Sequence, residues 1–524
     1  MNFTPAPHVT QHWSLTKASA TGRRGMVVSQ VRAAAEAGVA ILDAGGNAID
    51  AAVGTAMALS TTEPWNSGLG GIGFALVHRA GQKRAEVVDF GPVAPSGLNP
   101  SAFKLTGRMK QDLFAWPEVE GDANIHGPLS FAIPSALAGY DRMLKQWGKL
   151  PIAEIMAPAL ALAQRGLPQD WYTTLKIGSS ASVLRLYAES ARVYLPNGLP
   201  PVAPYQGKPG FFRLGNLRAT LAHLSQAGLQ DFYQGDVAKA LISDVKSLGG
   251  VLNAQDLSNC QARIHPATEY QWRGRTLQLT GGLTAAPTMA RVLDQLKSTP
   301  YGKSPDANWY VSFAHAMKAA YAERLAGLGD ADPMAAETCT THLTVCDAEG
   351  TMVSMTTTLL SSMGSRVVLP GTGVLMNNGV MWFDPSPDQP NSIAPGKRPL
   401  TNMSPIILMD GERPWLAAGA SGGRRILAAV AQVMTFIADF GMTAEQAAHH
   451  PRIDVSGPDG VSADIRLPPD VIAALEANGP TDVVEHGVMP INFACPNLIL
   501  NHGDGSRTGI SDAASPWSAA VAQA

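Results

Sequence analysis

Apolar positions recur every three to four residues through much of the first 330 positions. Residues 31–42 carry them at helical spacing and stop at Gly45-Gly46. A second run, 47–59, is rich in alanine and poor in charge, the pattern of a buried helix. The same period predicts helices over 136–146, 152–164, 217–226, 237–248, 289–296 and 308–327. Strand signals here are few, such as those at 73–78 and 85–89. Near residue 330 the pattern changes. Residues 329–337 are acidic, small and interrupted by Pro333, which predicts an exposed linker. Beyond it, 341–346 and 351–359 alternate around Asp347-Ala348-Glu349-Gly350, a hairpin signature. Further strands are predicted at 367–369, 373–376, 403–409 and 415–418, with one long helix at 425–440. Helices and strands mixed in this order predict an α+β body with helices stacked outside sheet. No repeat or low-complexity tract interrupts it.

The hairpin bears on chemistry. Pairing Cys346 with Thr351 sets Thr340 opposite Thr357 and beside Thr358, and directly opposed side chains lie about 5 Å apart. A slip of one residue exchanges Thr357 for Thr358, and both pairings stay open.

Composition narrows the classes. Charged residues are 15% of the 524, against about 25% in an average domain, so the chain buries much and exposes little charge. The net charge of −3 and the lack of any Lys/Arg run argue against nucleic acid. Cys260, Cys339, Cys346 and Cys495 form no CxxC pair and no metal-ligand spacing. No metal, cofactor or disulfide framework is expected. Apolar runs such as 426–431 are too short to span a membrane, and residues 1–22 lack the apolar core of a signal peptide. A cytoplasmic protein is the expectation. Gly68–Gly73 formally matches GxGxxG, yet it follows a helix rather than a strand, so a tight loop is expected there and not a dinucleotide site.

Several motifs run in order along the chain: Gly25-Met26-Val27-Val28-Ser29, Gly45-Gly46-Asn47-Ala48-Ile49-Asp50, Gly68-Leu69-Gly70-Gly71, Thr340-Thr341-His342, Pro370-Gly371-Thr372-Gly373 with Asn377-Asn378, Pro395-Gly396-Lys397-Arg398-Pro399-Leu400, Ser421-Gly422-Gly423 and Ser511-Asp512. With these the chain resembles the gamma-glutamyltransferase family of N-terminal-nucleophile hydrolases over nearly its whole length. The resemblance implies a four-layer αββα sandwich. It implies a precursor cut between Cys339 and Thr340, whose large part (1–339) and small part (340–524) stay together as one unit. It makes Thr340 the nucleophile, Thr358 its hydrogen-bonding helper, and the Gly422 and Gly423 amides the oxyanion hole. The Thr340 hydroxyl would attack the Cys339 carbonyl, and water would resolve the ester. The freed α-amine, with an ordinary pKa of about 7.7–8.0, would then serve as base. Cys339 is needed only for its carbonyl. His342 is expected to be structural, and His449-His450 to cap a helix end. His126 and Asn124 lie in a loop within possible reach of the pocket.

Departures from the family pattern shape the expected substrate. Phe90-Gly91-Pro92 stands where the family carries the Arg for the substrate α-carboxylate. Trp382 stands at the acidic position for the α-amine, Leu360 replaces a polar residue two after the helper, and Thr401-Asn402 replaces Ser-Ser. Arg366 is a new cation eight residues past Thr358. Loss of the glutamyl head-group site, a pocket narrowed by Trp382 and a cation at Arg366 predict a small anionic amide held by an Arg–carboxylate contact. The expected reaction is oxamate to oxalate and ammonia, as in the resembling oxamate amidohydrolases of bacterial purine breakdown, with Arg366, Trp382, Thr401 and Asn402 lining the site. The alternatives are a γ-glutamyltransferase, glutathione hydrolase or glutaryl acylase activity and, from a different class, an inactive binding protein. The expected partners are a small-molecule amide and the two processed chains, with a higher oligomer left open and with neither nucleic acid nor membrane.

Overall fold

The computed structural model describes residues 15–110, 116–328, 338–456 and 460–524. Two seven-stranded antiparallel sheets lie face to face, each drawing strands from both sides of the 329–337 segment. The first sheet runs in the order Ala519–Ala522, Met26–Ser29, Thr338–Cys346, Met352–Ser361, Ile72–His78, Glu86–Phe90, Arg263–Pro266. The second runs Ala20–Gly22, Arg507–Ser511, Cys495–Asn501, Arg413–Ser421, Ile406–Asp410, Arg275–Leu279, Thr268–Trp272.

Three cores separate four layers. Val27, Ala75, Val77 and Val88 of the first sheet pack on helices that include Arg32–Asp43, Ala48–Thr62, Ala136–Trp147 and Ile152–Arg165. Leu408, Leu416, Ala418 and Leu498 of the second pack on Ala286–Leu296, Ala307–Leu328 and Arg425–Ala438. Between the sheets lie Met26, Val28, Leu76, Met352, Ile407, Ala417 and Ile499. The layering is the expected αββα. Alternate residues of one strand serve two different cores because side chains of a strand alternate in direction.

Helices fall close to their predicted spans because their apolar period is long and regular. Helix 47–59 extends to Thr62, opened by a capping box in which Asn47 and Asp50 exchange side-chain-to-backbone bonds. Two predictions need correction. Residues 367–369 and 373–376 are not strands; they meet in one isolated bridge, Val368 with Leu375. Gly373 sits at φ +69, pressed so close to Leu217 that a Cβ would lie 2.2 Å from its backbone nitrogen, and this packing holds the segment as a turn. The first 330 residues also supply seven strands to the two large sheets, far more than the period-two signal implied. Segments such as Met26–Ser29 are short, buried on both faces and therefore show no alternation. The predicted linker 329–337 lies outside the described residues.

The hairpin is present with its register slipped by one. Cys346 pairs with Met352 and Thr341 with Thr357. The register shifts between Cys339, which faces Leu360, and Thr341. Thr340 alone therefore spans Thr358 and Leu359 of the partner strand, which is a β-bulge at the one position the motif singles out.

Candidate active site

The bulge aims Thr340 at Thr358. Their hydroxyls lie 3.4 Å apart, with Thr340 donating. Both side chains are buried, 4% and 0% exposed. The backbone N–H of Leu360 donates to Thr358 Oγ at 2.8 Å, so the Thr358 oxygen is held as an acceptor toward Thr340. Leu360 makes that bond from φ +87, a conformation costly for a branched residue. Met363 and Arg366 are also at positive φ, so non-glycine backbone strain gathers just beyond Thr358. Thr357 points the other way, between the Tyr140 hydroxyl at 3.1 Å and the Ile72 carbonyl at 3.2 Å.

Gly422 and Gly423 join strand Arg413–Ser421 to helix Arg425–Ala438 at φ +138 and +60. A Cβ on Gly422 would meet Ala494 Cα at 2.7 Å, so only glycine fits. Their amides precede a 14-residue helix, where unsatisfied N–H groups and the helix dipole favour negative charge. A polar chain ties this loop to the hairpin: Gln30 Nε2 donates to Ser421 Oγ, and Gln30 Oε1 accepts from the Thr341 hydroxyl at 2.8 Å. The same hydroxyl lies 2.9 Å from Glu63 Oε2. Asn66 adds a long contact to Gln30 at 3.4 Å and accepts the Leu359 N–H on its carbonyl at 2.9 Å.

His342 sits between the sheets. A Cβ on Gly419 would lie 2.2 Å from His342 Cε1, so the ring fills the place of a side chain there. Its nitrogens meet Thr356 at 2.9 Å and Thr344 at 3.2 Å, and burial pushes its pKa down to about 3. A neutral imidazole fully enclosed by hydroxyls is a sheet-to-sheet clamp, the structural role expected for it.

The other candidates are distributed as follows. Trp382 is buried among Ile72, Phe74, Trp116, Leu360, Met381 and Met403, an apolar wall beside Thr358. Thr401 and Asn402 are gripped from behind by Arg324 of helix Ala307–Leu328, whose Nη2 lies 2.8 Å from the Thr401 carbonyl and 3.5 Å from Asn402 Oδ1. Arg366 Nη1 donates to Ser361 Oγ at 2.7 Å, to the Gly364 carbonyl at 2.6 Å and, at 3.4 Å, to the Ile125 carbonyl. That nitrogen is engaged with the protein itself. His126 faces Tyr187 at 2.7 Å, and burial and then the Arg366 charge lower its pKa. Asn124 is buried in the same loop. Nothing is described of the Cys339 side chain. His449 Nδ1 meets the Glu445 carbonyl at 2.8 Å at its helix end, as a cap does. Cys260, Cys346 and Cys495 are free thiols. The fold does gather His486, Cys495 and Asp512, but the Arg452 guanidinium donates to Asp512 at 2.6 Å and opposes a metal cation there.

Sequence reasoning missed Gln30, Glu63, Asn66 and Arg324. One signal pointed to Glu63. It is the only Asp, Glu, Lys or Arg between Asp50 and Arg79, and a lone charge at the end of a buried apolar helix needs a partner.

Known proteins resemble the chain in sequence and in fold. A family model described as gamma-glutamyltranspeptidase matches residues 34–339 and 334–519. The chain is 28% identical over 552 residues to the glutathione hydrolase proenzyme of Bacillus subtilis (strain 168), covering 94% of this chain and 90% of that one. It is 30% identical over 550 residues to the acylase ACY 1 proenzyme of Pseudomonas sp. (strain V22), covering 96% and 94%. In fold it resembles the crystal structure of cephalosporin acylase from Bacillus halodurans, with a TM-score of 0.85 at 24% identity over 100% and 99% of the two chains.

Proposed function

The chain belongs to the gamma-glutamyltranspeptidase family, and we propose that it is a proenzyme that cuts itself before Thr340 and then hydrolyses a small acyl amide. The observation that carries this reading is the bulge that turns Thr340 toward Thr358, beside an apolar wall and a glycine loop at a helix N-terminus. In the uncut chain Thr340 Oγ attacks the Cys339 carbonyl, the peptide becomes an ester, and water releases residues 1–339 from residues 340–524. Strand Thr338–Cys346 is flanked by Met26–Ser29 and Met352–Ser361, and both large sheets mix strands from the two sides of the cut, so the two chains stay interlocked. The free amine takes the hydroxyl proton as Thr340 Oγ bonds to the acyl carbon, and the Gly422 and Gly423 amides receive the oxyanion. The C–N bond breaks with that proton passing to the leaving amine, and water then releases the acid from the acyl-enzyme.

An acylase-type substrate suits the pocket better than a glutathione-type one. Gly91 offers no guanidinium of its own, the Arg398 guanidinium that lies against it is paired with Asp89, and Trp382 offers no carboxylate for an amino-acid head group. The likeness to the acylase ACY 1 proenzyme supports this direction. Oxamate has weaker support, because Arg366, which was to hold its carboxylate, already donates to Ser361, Gly364 and Ile125. The test is ammonia or amine release from glutaryl, γ-glutamyl and oxamate amides by the purified protein, with Thr340→Ala as blank. Glutaryl turnover by wild type alone supports the reading. Turnover of oxamate alone moves it to the short anion, and cleavage persisting in Thr340→Ala overturns the nucleophile.

A further inference from the structure

Glu63 is the C-cap residue of helix Ala48–Thr62 and is 1% exposed. Its Oε2 and Gln30 Oε1 both lie within 2.9 Å of the Thr341 hydroxyl. A hydroxyl has one proton to donate. With Gln30 turned so that its amide nitrogen serves Ser421, one of the two contacts needs a proton from elsewhere, and Glu63 is the group able to bring it. Burial pushes this carboxyl up to about 7, against the hydrogen bonds from Thr341 and Asn66 and the charge of Lys176. Lys176 belongs to helix Trp171–Gly178 and lies 5.5 Å from the Tyr172 ring centroid. The strand presents Thr341 and the first loop presents Gln30; neither titrates. Among the described residues no cation is within ion-pair distance of Glu63. In the uncut chain the Thr340 nitrogen is a neutral amide, so no charge there favours the ionised acid.

Cleavage changes this. It creates an amine one residue from the hydroxyl that Glu63 touches, roughly 6–8 Å from the carboxyl given a Cα spacing of about 3.8 Å. Building on the self-cleavage reading, we propose that Glu63 is a positioning residue that becomes the carboxylate partner of the Thr340 amine after cleavage, setting the pH above which that amine is a free base. The proton leaves Glu63 and is taken up on the Thr340 nitrogen, giving carboxylate and ammonium. At higher pH the ammonium gives it to solvent. No other reactant is needed. Opposite charges at that separation and an effective dielectric near 20 move each pKa by about 1–2 units.

The experiment is an infrared pH titration of the protonated-carboxyl band, comparing processed wild type with uncut Thr340→Ala. Buried Asp347, Asp439 and Asp454 occur in both chains and cancel. The new Cys339 carboxylate ionises well below this range. The midpoint of the differing band is expected about 1–2 units lower in the cut chain, and the difference should vanish when Glu63→Gln is made in both. Identical titrations in cut and uncut chains overturn the proposal. If Glu63→Gln does not fold, the first comparison still decides. Absence of the small chain on a denaturing gel of wild type refutes the cleavage reading instead, so the two failures are distinct.

Discussion

Replacing Thr358 by Val separates the two jobs assigned to its oxygen. The shape is kept and the hydroxyl is lost. The first job is structural: the Leu360 N–H, now bonded at 2.8 Å, is left buried without its partner. That costs roughly 1–3 kcal/mol, and the loss falls on a residue already at φ +87. The second job is to accept the proton side of the Thr340 hydroxyl, 3.4 Å away in the uncut chain. Thr358 orients the nucleophile rather than taking its proton, and a reacting group misplaced by about 1 Å loses roughly 10² in rate. Self-cleavage in Thr358→Val should therefore slow by about 10², far beyond what the modest loss of stability explains. The assay follows conversion of the 524-residue chain into its 339- and 185-residue parts on a denaturing gel, the latter from 524 less 339, with urea unfolding to measure stability. Thr357→Val is the control. Its hydroxyl serves Tyr140 and Ile72 on the helix side, so it should lose stability while cleaving at close to the wild-type rate. Wild-type cleavage in folded Thr358→Val, or equal slowing in both variants, would refute the argument from register.

Two more expectations follow from the same geometry. Gly422→Ala forces a Cβ to 2.7 Å from Ala494 Cα at φ +138; it should cost about 1–3 kcal/mol and, by displacing an oxyanion donor, lower kcat by about 10²–10³, which unfolding and steady-state assays measure separately. His342 has an ordinary pKa of about 6.5 when unfolded and about 3 when folded, so as pH falls through 6.5 the unfolded chain gains a proton that the folded chain refuses. Stability is lost from that source between pH 6.5 and 3, by a few kcal/mol at most. His342→Asn should be less stable at pH 8 yet show a shallower loss across that window in urea titrations, and an unchanged slope would remove His342 as the cause.

Much was legible in the residues themselves. Helices with a sustained apolar period were placed well, and the change of period near residue 330 announced the hairpin that begins with the Thr-Thr-His motif. Alternation and turn composition are local, and local signals survive in a sequence. The choice between Thr357 and Thr358 did not. It depends on a bulge, and a bulge is settled by how a strand fits two neighbours at once, Met26–Ser29 on one side and Met352–Ser361 on the other. The same holds for Arg366. Its charge is visible in the sequence, but the positive-φ turn that folds its Nη1 back onto Ser361 and Gly364 is not, and the Ile125 carbonyl that also meets that nitrogen comes from 241 residues away.

The sequence by itself determined the layered helix-and-sheet body and singled out Thr340 as the candidate nucleophile. Only the tertiary structure decided what stands around the nucleophile. Gln30 and Glu63 lie 311 and 278 residues from Thr341, and no periodicity connects positions so far apart. They meet because one sheet brings strands from both ends of the chain side by side. A buried carboxyl then has to find its partners among whatever polar groups that packing supplies.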